Sequence, residues 1–388
     1  MNYDFDKIIE RRNTDSLKWD SCERYNGIEM LPMWVADMDF EAPREIIDAI
    51  IERAKHGIFG YTPVYGSYYD AVLDWMKRRH GWEIKRDWIV STPGVVPAVG
   101  LAILAYTRPD EKVIIQLPVY HPFQKVIRDN GRQPVENRLK LINGRYQMDY
   151  TNLEQLLDEG IRLLILCSPH NPVGRVWEGY ELKQLAEICM KYDVLIVSDE
   201  IHSDLVLKGY NHTPMAMLSE DIENHTITFT SASKTFNLAG LACANIIIPN
   251  KELFDRFNHI CNSIWIGTPN IFGLVATEAA YRYGEKWLEQ LLEYVYKNYE
   301  FLISYLGDQA PEIKVTPLEG TYLSWLDFRG LGLSDKEIEK LLLDDAKVWL
   351  DNGPKFGKGG EGFQRLNLAC PKEILEQGLN RIVTAIKK

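Results

Sequence analysis

Residues 227–241 read ITFTSASKTFNLAGL, an apolar, β-branched run that stops at Ser231-Ala232-Ser233 and delivers a single lysine, Lys234. Other apolar runs end on reactive side chains in the same way. VLIVSD (194–199) closes on Asp199 and continues into DEIH with His202; RLLILC (162–167) runs into SPHNPVG with Asn171; VIIQL (113–117) is followed by Pro118 and Tyr120. DWIVST (87–92) leads into Pro93-Gly94-Val95-Val96 and a helix-like run, VPAVGLAILAY. Each residue has an ordinary reading. Singly, Asp199 reads as a helix cap, Asn171-Pro172 as a turn, Tyr120 as core, His202 as a hydrogen-bonded structural histidine, and Lys234 as a solvated loop lysine. Gathered at one end of one sheet, they become an amine, a carboxylate, an imidazole, an amide, hydroxyls, an aromatic face and a helix N-terminus. Ligands in parallel α/β sheets bind at that end, beyond the carboxyl termini of the strands.

That set matches what pyridoxal 5′-phosphate demands. Its aldehyde needs a lysine amine, and its ring nitrogen needs a carboxylate to stay protonated. Its phosphate needs hydroxyls and the N-terminal amides of a helix, and its flat ring needs an aromatic face. Competing schemes lack their residues. No G-x-G-x-x-G follows a strand, since GPKFGKGGEG (353–362) comes late among loop residues and reads as a flexible loop. There is no G-x-x-x-x-G-K-[ST], no metal-ligand spacing around His170 or His202, and no G-x-S-x-G.

The elements that must position these residues are legible as periodicity. The apolar runs are continuous rather than alternating, as in strands covered on both faces, and CANIII (243–248) belongs with them. Between them lie helical patterns such as TNLEQLLDEG (151–160) and YELKQLAEICMKY (180–192). Repeated βαβ units predict a doubly wound α/β domain with a mostly parallel sheet sandwiched by helices. From Thr268 the pattern changes to two helical stretches divided near Gly284, a strand-like TYLSWLDF (321–328), an acidic helix around 334–345 and a closing helix after Pro371. We therefore expect an N-terminal arm over 1–47 packing with the small domain, a large domain over 48–283, and a smaller α+β domain over 284–388.

The chain has 388 residues, with 44 basic against 55 acidic side chains and a formal net charge of −11. Such a surface repels phosphate backbones and anionic lipid, which argues against nucleic-acid and membrane partners. Its six cysteines are scattered without a C-x-x-C pair, and Cys167, Cys189 and Cys243 sit in apolar runs, as free thiols do in a reducing compartment. With no apolar leader or membrane-length stretch, the expected location is cytoplasmic.

SPHNPVG, SDEIHSD, SASKTFNLAGL and GFQRLNLACP together resemble fold-type I pyridoxal-phosphate enzymes of the class I/II aminotransferase superfamily, over essentially the whole chain. MWVADMDF, GYTPVYGSYYDAV, DEIHSD and GEGFQRLNLACP are similar to the MalY/PatB-type C–S lyases, or cystathionine β-lyases. The resemblance implies Lys234 as the Schiff-base lysine, Asp199 as partner of the pyridine nitrogen, and Tyr120 stacked on the ring. Asn171 and His202 would contact the phenolic oxygen. Ser231, Ser233 and the amides of Val95 and Val96 would hold the phosphate. Arg365 would clamp the substrate α-carboxylate, with Asn171, Trp34 and Tyr61 also lining the substrate site. Tyr61 would reach the phosphate of a neighbouring subunit, making a homodimer with active sites at the interface. The implied reaction is α,β-elimination of L-cystathionine or a related amino-acid thioether to a thiol, pyruvate and ammonia. An aminotransferase, and a regulatory partner-binding protein that keeps the fold, are the alternatives. His202 stands where most aminotransferases have tyrosine, and Ala242 where many have a phosphate-binding arginine.

Overall fold

The structure is a computed structural model and describes residues 3–22 and 30–388. The continuous apolar runs become a seven-stranded sheet. Its strands are β1 (Ile89–Thr92), β2 (Lys112–Leu117), β3 (Gln133–Arg138), β4 (Leu163–Cys167), β5 (Leu195–Asp199), β6 (Thr226–Thr230) and β7 (Ala244–Ile247). Their order is β1-β7-β6-β5-β4-β2-β3. Strands β2 to β6 pair in parallel. β7 runs antiparallel to both β6 and β1, so the sheet is mixed, and β1 points the same way as the parallel set. The carboxyl ends of β1, β2, β4, β5 and β6 therefore share one rim.

Burial on both faces explains the apolar runs. The flanking helices are α1 (Val95–Tyr106), α2 (Tyr150–Leu157), α3 (Gly179–Lys191) and α4 (Lys251–Ser263). Ile115, Ile165 and Val197 pack with α1 and α4 on one face. Their neighbours Ile114, Leu164 and Ile196 pack with α2 and α3 on the other, because successive strand residues point to opposite faces.

Beyond the sheet come α5 (Ile271–Tyr283), α6 (Glu285–Gln309) and α7 (Lys372–Ile386). A four-stranded antiparallel sheet, in the order β8-β9-β11-β10, comprises β8 (Lys314–Val315), β9 (Leu323–Asp327), β10 (Asp351–Asn352) and β11 (Phe363–Asn367). The acidic stretch forms Asp335–Lys340 and then widens into a π turn, Leu341–Asp345.

The early chain is tied to this second sheet. Leu31–Pro32 pairs in parallel with Val348–Trp349. Asn367 donates from its backbone to the Met33 carbonyl at 3.0 Å, and from Nδ2 to the carbonyls of Val35 at 2.7 Å and Asp37 at 2.5 Å. A buried ion cluster secures the same segment: Asp39 receives Lys18 Nζ at 2.6 Å, Arg11 at 2.6 Å and Trp19 Nε1 at 2.8 Å.

The glycine-rich run expected to be a flexible loop is instead a packed turn. Phe356 is buried with its ring 5.4 Å from that of Trp325, and its carbonyl accepts from Val119 N at 3.0 Å. A side chain at Gly353 would meet the Gly360 carbonyl oxygen at 2.0 Å. Glycine serves close backbone approach here rather than mobility.

Among the described residues, no helix is long and apolar enough to cross a membrane, and no group of three or more His, Cys, Asp or Glu is placed to hold a metal.

Candidate active site

At the shared rim lies a cleft of about 200 Å³, lined by Ala36, Gly94, Val95, Val96, Tyr120, Asn171, Asp199, His202, Ser231, Ser233, Lys234 and Ala242 among others. The residues singled out at the strand ends thus meet in one cavity.

Lys234 rides on a one-turn helix, Ala232–Thr235, that follows β6. Ser231 caps it, accepting from Ser233 N at 3.1 Å, while its hydroxyl donates to the Cys243 carbonyl at 2.7 Å. Lys234 Nζ donates to the Ala36 carbonyl at 2.7 Å, and the Tyr322 hydroxyl donates to the same oxygen at 3.0 Å. Burial, reinforced by the positive charge of Arg365, lowers the lysine pKa to about 8 against the opposing pull of Asp37 and Asp199. A lysine so placed is partly deprotonated near neutral pH and can act as a nucleophile or base.

Asp199 ends β5 fully inside the protein. It accepts from Ile201 N at 3.1 Å and has no ion-pair partner among the described residues. Burial pushes its carboxyl up to about 7, with Glu200 adding repulsion and Lys234 and the amide of Ile201 only partly opposing it. What this carboxylate lacks is a cationic donor. His202, brought over the cleft by the turn after β5, is pushed well below its ordinary pKa by burial and by the charges of Lys234 and Arg365. It is therefore neutral, and its buried Nδ1 has no partner.

α1 supplies the anion end. Its N-cap, Gly94, has no side chain to cap the helix and adopts φ +149°, which a side chain would strain. The first amides of this twelve-residue helix accordingly face the cleft uncapped. Tyr120, half-buried, presents its ring edge-on to Phe123 with centroids 5.8 Å apart.

Arg365, on β11, reaches in from the second sheet. It donates to Asn171 Oδ1 at 2.9 Å, to the Trp34 carbonyl at 2.8 Å and to Asp351 Oδ2 at 2.7 Å, while its buried Nε has no partner. Trp34 stacks on Trp349 with centroids 4.8 Å apart, outside the cleft lining, and its indole Nε1 is unpartnered. Tyr61 does not line this chain's cleft; it stands fully exposed on the segment before the helix Gly66–His80.

Sequence reasoning missed Asp351, which braces Arg365, the Ala36 carbonyl, which receives Lys234, and Tyr322, which donates to that same carbonyl. Asp351 and Arg365 meet only because β10 and β11 pair, and no short-range spacing announces that. A backbone carbonyl carries no residue type at all.

The arrangement fits pyridoxal 5′-phosphate on its own chemistry. It offers an amine of lowered pKa, a buried carboxylate awaiting a positive charge, a neutral imidazole with an unpartnered nitrogen, and uncapped helix amides beside Ser231 and Ser233.

The model of the aminotransferase class I and II family matches residues 28–382, and the chain belongs to that family. It is 44% identical to cystathionine beta-lyase PatB of Bacillus subtilis (strain 168), covering 98% of this chain and 99% of that one. It is 32% identical to protein MalY of Escherichia coli (strain K12), covering 99% of each. Among solved structures it matches cystalysin from Treponema denticola, which contains a pyridoxal 5′-phosphate cofactor, with TM-score 0.97 and 41% identity over 100% of this chain and 99% of that one. It also matches the PLP-bound C–S lyase from Staphylococcus hominis, with TM-score 0.92 and 35% identity over 100% and 99% of the two chains.

Proposed function

We propose that this chain is a pyridoxal-phosphate-dependent C–S β-lyase. It cleaves L-cystathionine or a related cysteine S-conjugate by α,β-elimination, giving a thiol (homocysteine from cystathionine), pyruvate and ammonia. The observation that carries this reading is Lys234, its pKa lowered to about 8, set in one cleft with a buried Asp199 that has no cation against it. Kinship with named C–S lyases supports lyase over transaminase chemistry.

When bound, the cofactor supplies an aldehyde for amines and an electron sink for charge developing at the substrate Cα. Lys234 would link to it, and its Nζ would take the substrate α-proton as general base. Asp199 would keep a proton on its ring nitrogen, and neutral His202 and Asn171 would contact its phenolic oxygen. Ser231, Ser233 and the amides of Val95 and Val96 hold the phosphate, and Tyr120 flanks the ring. Arg365, braced by Asp351, offers its unpartnered Nε to the α-carboxylate.

Residues 48–283 are read as the cofactor-binding domain, 284–388 as the small domain, and 1–47 as an arm packing with the small domain. A homodimer is supported by exposed apolar side chains around Tyr61: Ile58, Phe59 and Tyr65 are each more than half exposed, as is Trp265. A cytoplasmic setting is supported by six scattered cysteines without a C-x-x-C pair, and the negative charge balance argues against nucleic-acid and membrane partners.

The test is pyruvate release from L-cystathionine by the cofactor-loaded protein with no keto acid added. A lyase yields pyruvate and free thiol over many turnovers; an aminotransferase, which leaves the C–S bond intact, yields neither, and that result overturns the reading.

A further inference from the structure

Beneath the cleft lies a buried polar network that the chemistry above does not use. Asp204, in the turn after β5, has its carboxylate buried. Oδ2 accepts from the Thr235 hydroxyl at 2.7 Å, and Oδ1 accepts from Trp75 Nε1 at 3.1 Å and pairs with His80 Nε2 at 2.8 Å. Arg79 reaches the Asp204 carbonyl at 3.4 Å. A parallel pair stands beside it: His212 Nε2 lies 2.9 Å from Glu200 Oε2, and the rings of His80 and His212 meet edge to face with centroids 5.8 Å apart. Glu200 is further held by the Ser198 hydroxyl and the amide of Met215.

The positions of these residues along the chain are informative. Thr235 follows Lys234, Glu200 follows Asp199, and Asp204 shares one tight turn with His202, closed by the bond from Leu205 N to the His202 carbonyl. The helix bearing Lys234 has four residues, too few to hold its own geometry, because the first helical turn costs more order than its one hydrogen bond returns. It needs outside anchors. Ser231 is tied to Cys243 at one end, and Thr235 is tied to Asp204 at the other.

We propose that Asp204 is a positioning residue for Lys234, acting through the Thr235 hydroxyl, and that the turn carrying His202 and the helix carrying Lys234 are thereby locked to each other. Burial alone pushes the Asp204 carboxyl up, yet its bonds to His80 and Thr235 outweigh that and hold it below the ordinary carboxylate range. It thus stays an acceptor throughout the working pH range, which a lock made by a donated hydroxyl requires. His80 and Trp75 orient the carboxylate, leaving Oδ2 to Thr235. The inference rests on the reading of Lys234 as the cofactor-linking lysine.

Thr235→Val keeps the shape and removes only the hydroxyl. In the cofactor-loaded protein, kcat should fall about ten- to a hundredfold with KM within about twofold, as misplacement of a catalytic group by a fraction of an ångström produces. The pH midpoint of the visible absorbance of the lysine-bound cofactor should shift, and Thr235→Ser should restore both. A purely structural hydroxyl would lower the melting temperature and leave kcat and the midpoint alone. That outcome, or failure of the serine to rescue, overturns the proposal. If the valine variant does not fold, Asp204→Asn carries the same two readouts, with unchanged kcat and midpoint again the overturning result. Lys234→Ala run in parallel separates the two ideas: borohydride-stable labelling by pyridoxal phosphate that survives in that variant sinks the lysine assignment itself, whatever Thr235→Val shows.

Discussion

Asp39 and Asp199 are buried to nearly the same extent, 5% and 4% exposed, and their surroundings are opposite. Around Asp39 stand Lys18, Arg11 and Trp19, all within 2.8 Å. Burial would raise that carboxyl, but those three groups more than offset it and hold it below the ordinary range. Among the described residues, Asp199 is hydrogen-bonded by one backbone amide and paired with no cation, and the carboxyl is pushed up to about 7. Lys234 is likewise left without a carboxylate bonded to Nζ, and its pKa is pushed down to about 8. A buried charge with no compensation costs stability. A fold that keeps such groups at one cleft, while compensating others fully, holds them ready for charges that a ligand brings. The Asp39 cluster holds the segment 33–40 in place; the Asp199 cleft is finished only by its cofactor.

The contrast breaks most directly at the lysine. Lys234→Ala should reduce turnover by about a thousandfold or more and abolish borohydride-trappable cofactor, read by single-turnover kinetics and mass spectrometry. Near-normal turnover would mean that the uncompensated lysine is merely tolerated.

Next in size is a paired measurement on the cofactor-free protein. Asp39→Ala, which strands Lys18 and Arg11, should lose about 3–5 kcal/mol of stability in urea unfolding. Asp199→Asn should lose none, and it should remove a pH dependence. Between 3.8, the ordinary value, and about 7, folded Asp199 holds a proton that the unfolded chain has released. Its contribution therefore favours the folded state at low pH and fades as pH rises through that window. Lys234 works in the range from about 8 to 10.5, where the unfolded chain holds the proton and the folded lysine has lost it; its cost eases as pH rises. Asp39, with a lowered pKa, contributes stability above the ordinary carboxylate range and loses it on acidification. Identical pH slopes for wild type and Asp199→Asn between pH 4 and 7 would refute the difference between the two sites.

The smallest effect sharpens the comparison at Arg365, which is compensated by Asp351 yet keeps Nε free. Arg365→Lys retains the charge but loses the planar fork, so KM for the amino acid should rise about tenfold with kcat changed less. Steady-state kinetics decide it, and an unchanged KM removes the carboxylate clamp.

Much of this was legible in the residues. Strands buried on both faces advertise themselves as unbroken apolar runs, and the functional side chains cluster because strand ends are where parallel sheets leave room. Direction was not legible: CANIII is apolar whichever way it runs, so the antiparallel β7 looks like its parallel neighbours. Nor was the packed turn at 353–362, since glycine composition does not distinguish freedom from crowding. Trp34 and Tyr61 carry aromatic surface that sequence assigns to a substrate site, but in this single chain one stacks on Trp349 and the other faces outward. The partners of Lys234 and Arg365 stayed hidden because they are a carbonyl and a residue brought near by strand pairing.

The carbonyl that receives Lys234 belongs to Ala36, and the stretch around it is pinned by Arg365, Asn367 and Ala369. During synthesis, then, the wall of the cleft emerges from the ribosome about 330 residues ahead of its fasteners. A chain stalled short of Arg365 holds Lys234, Asp199 and the rest of the cleft lining and still cannot shut the compartment in which they react.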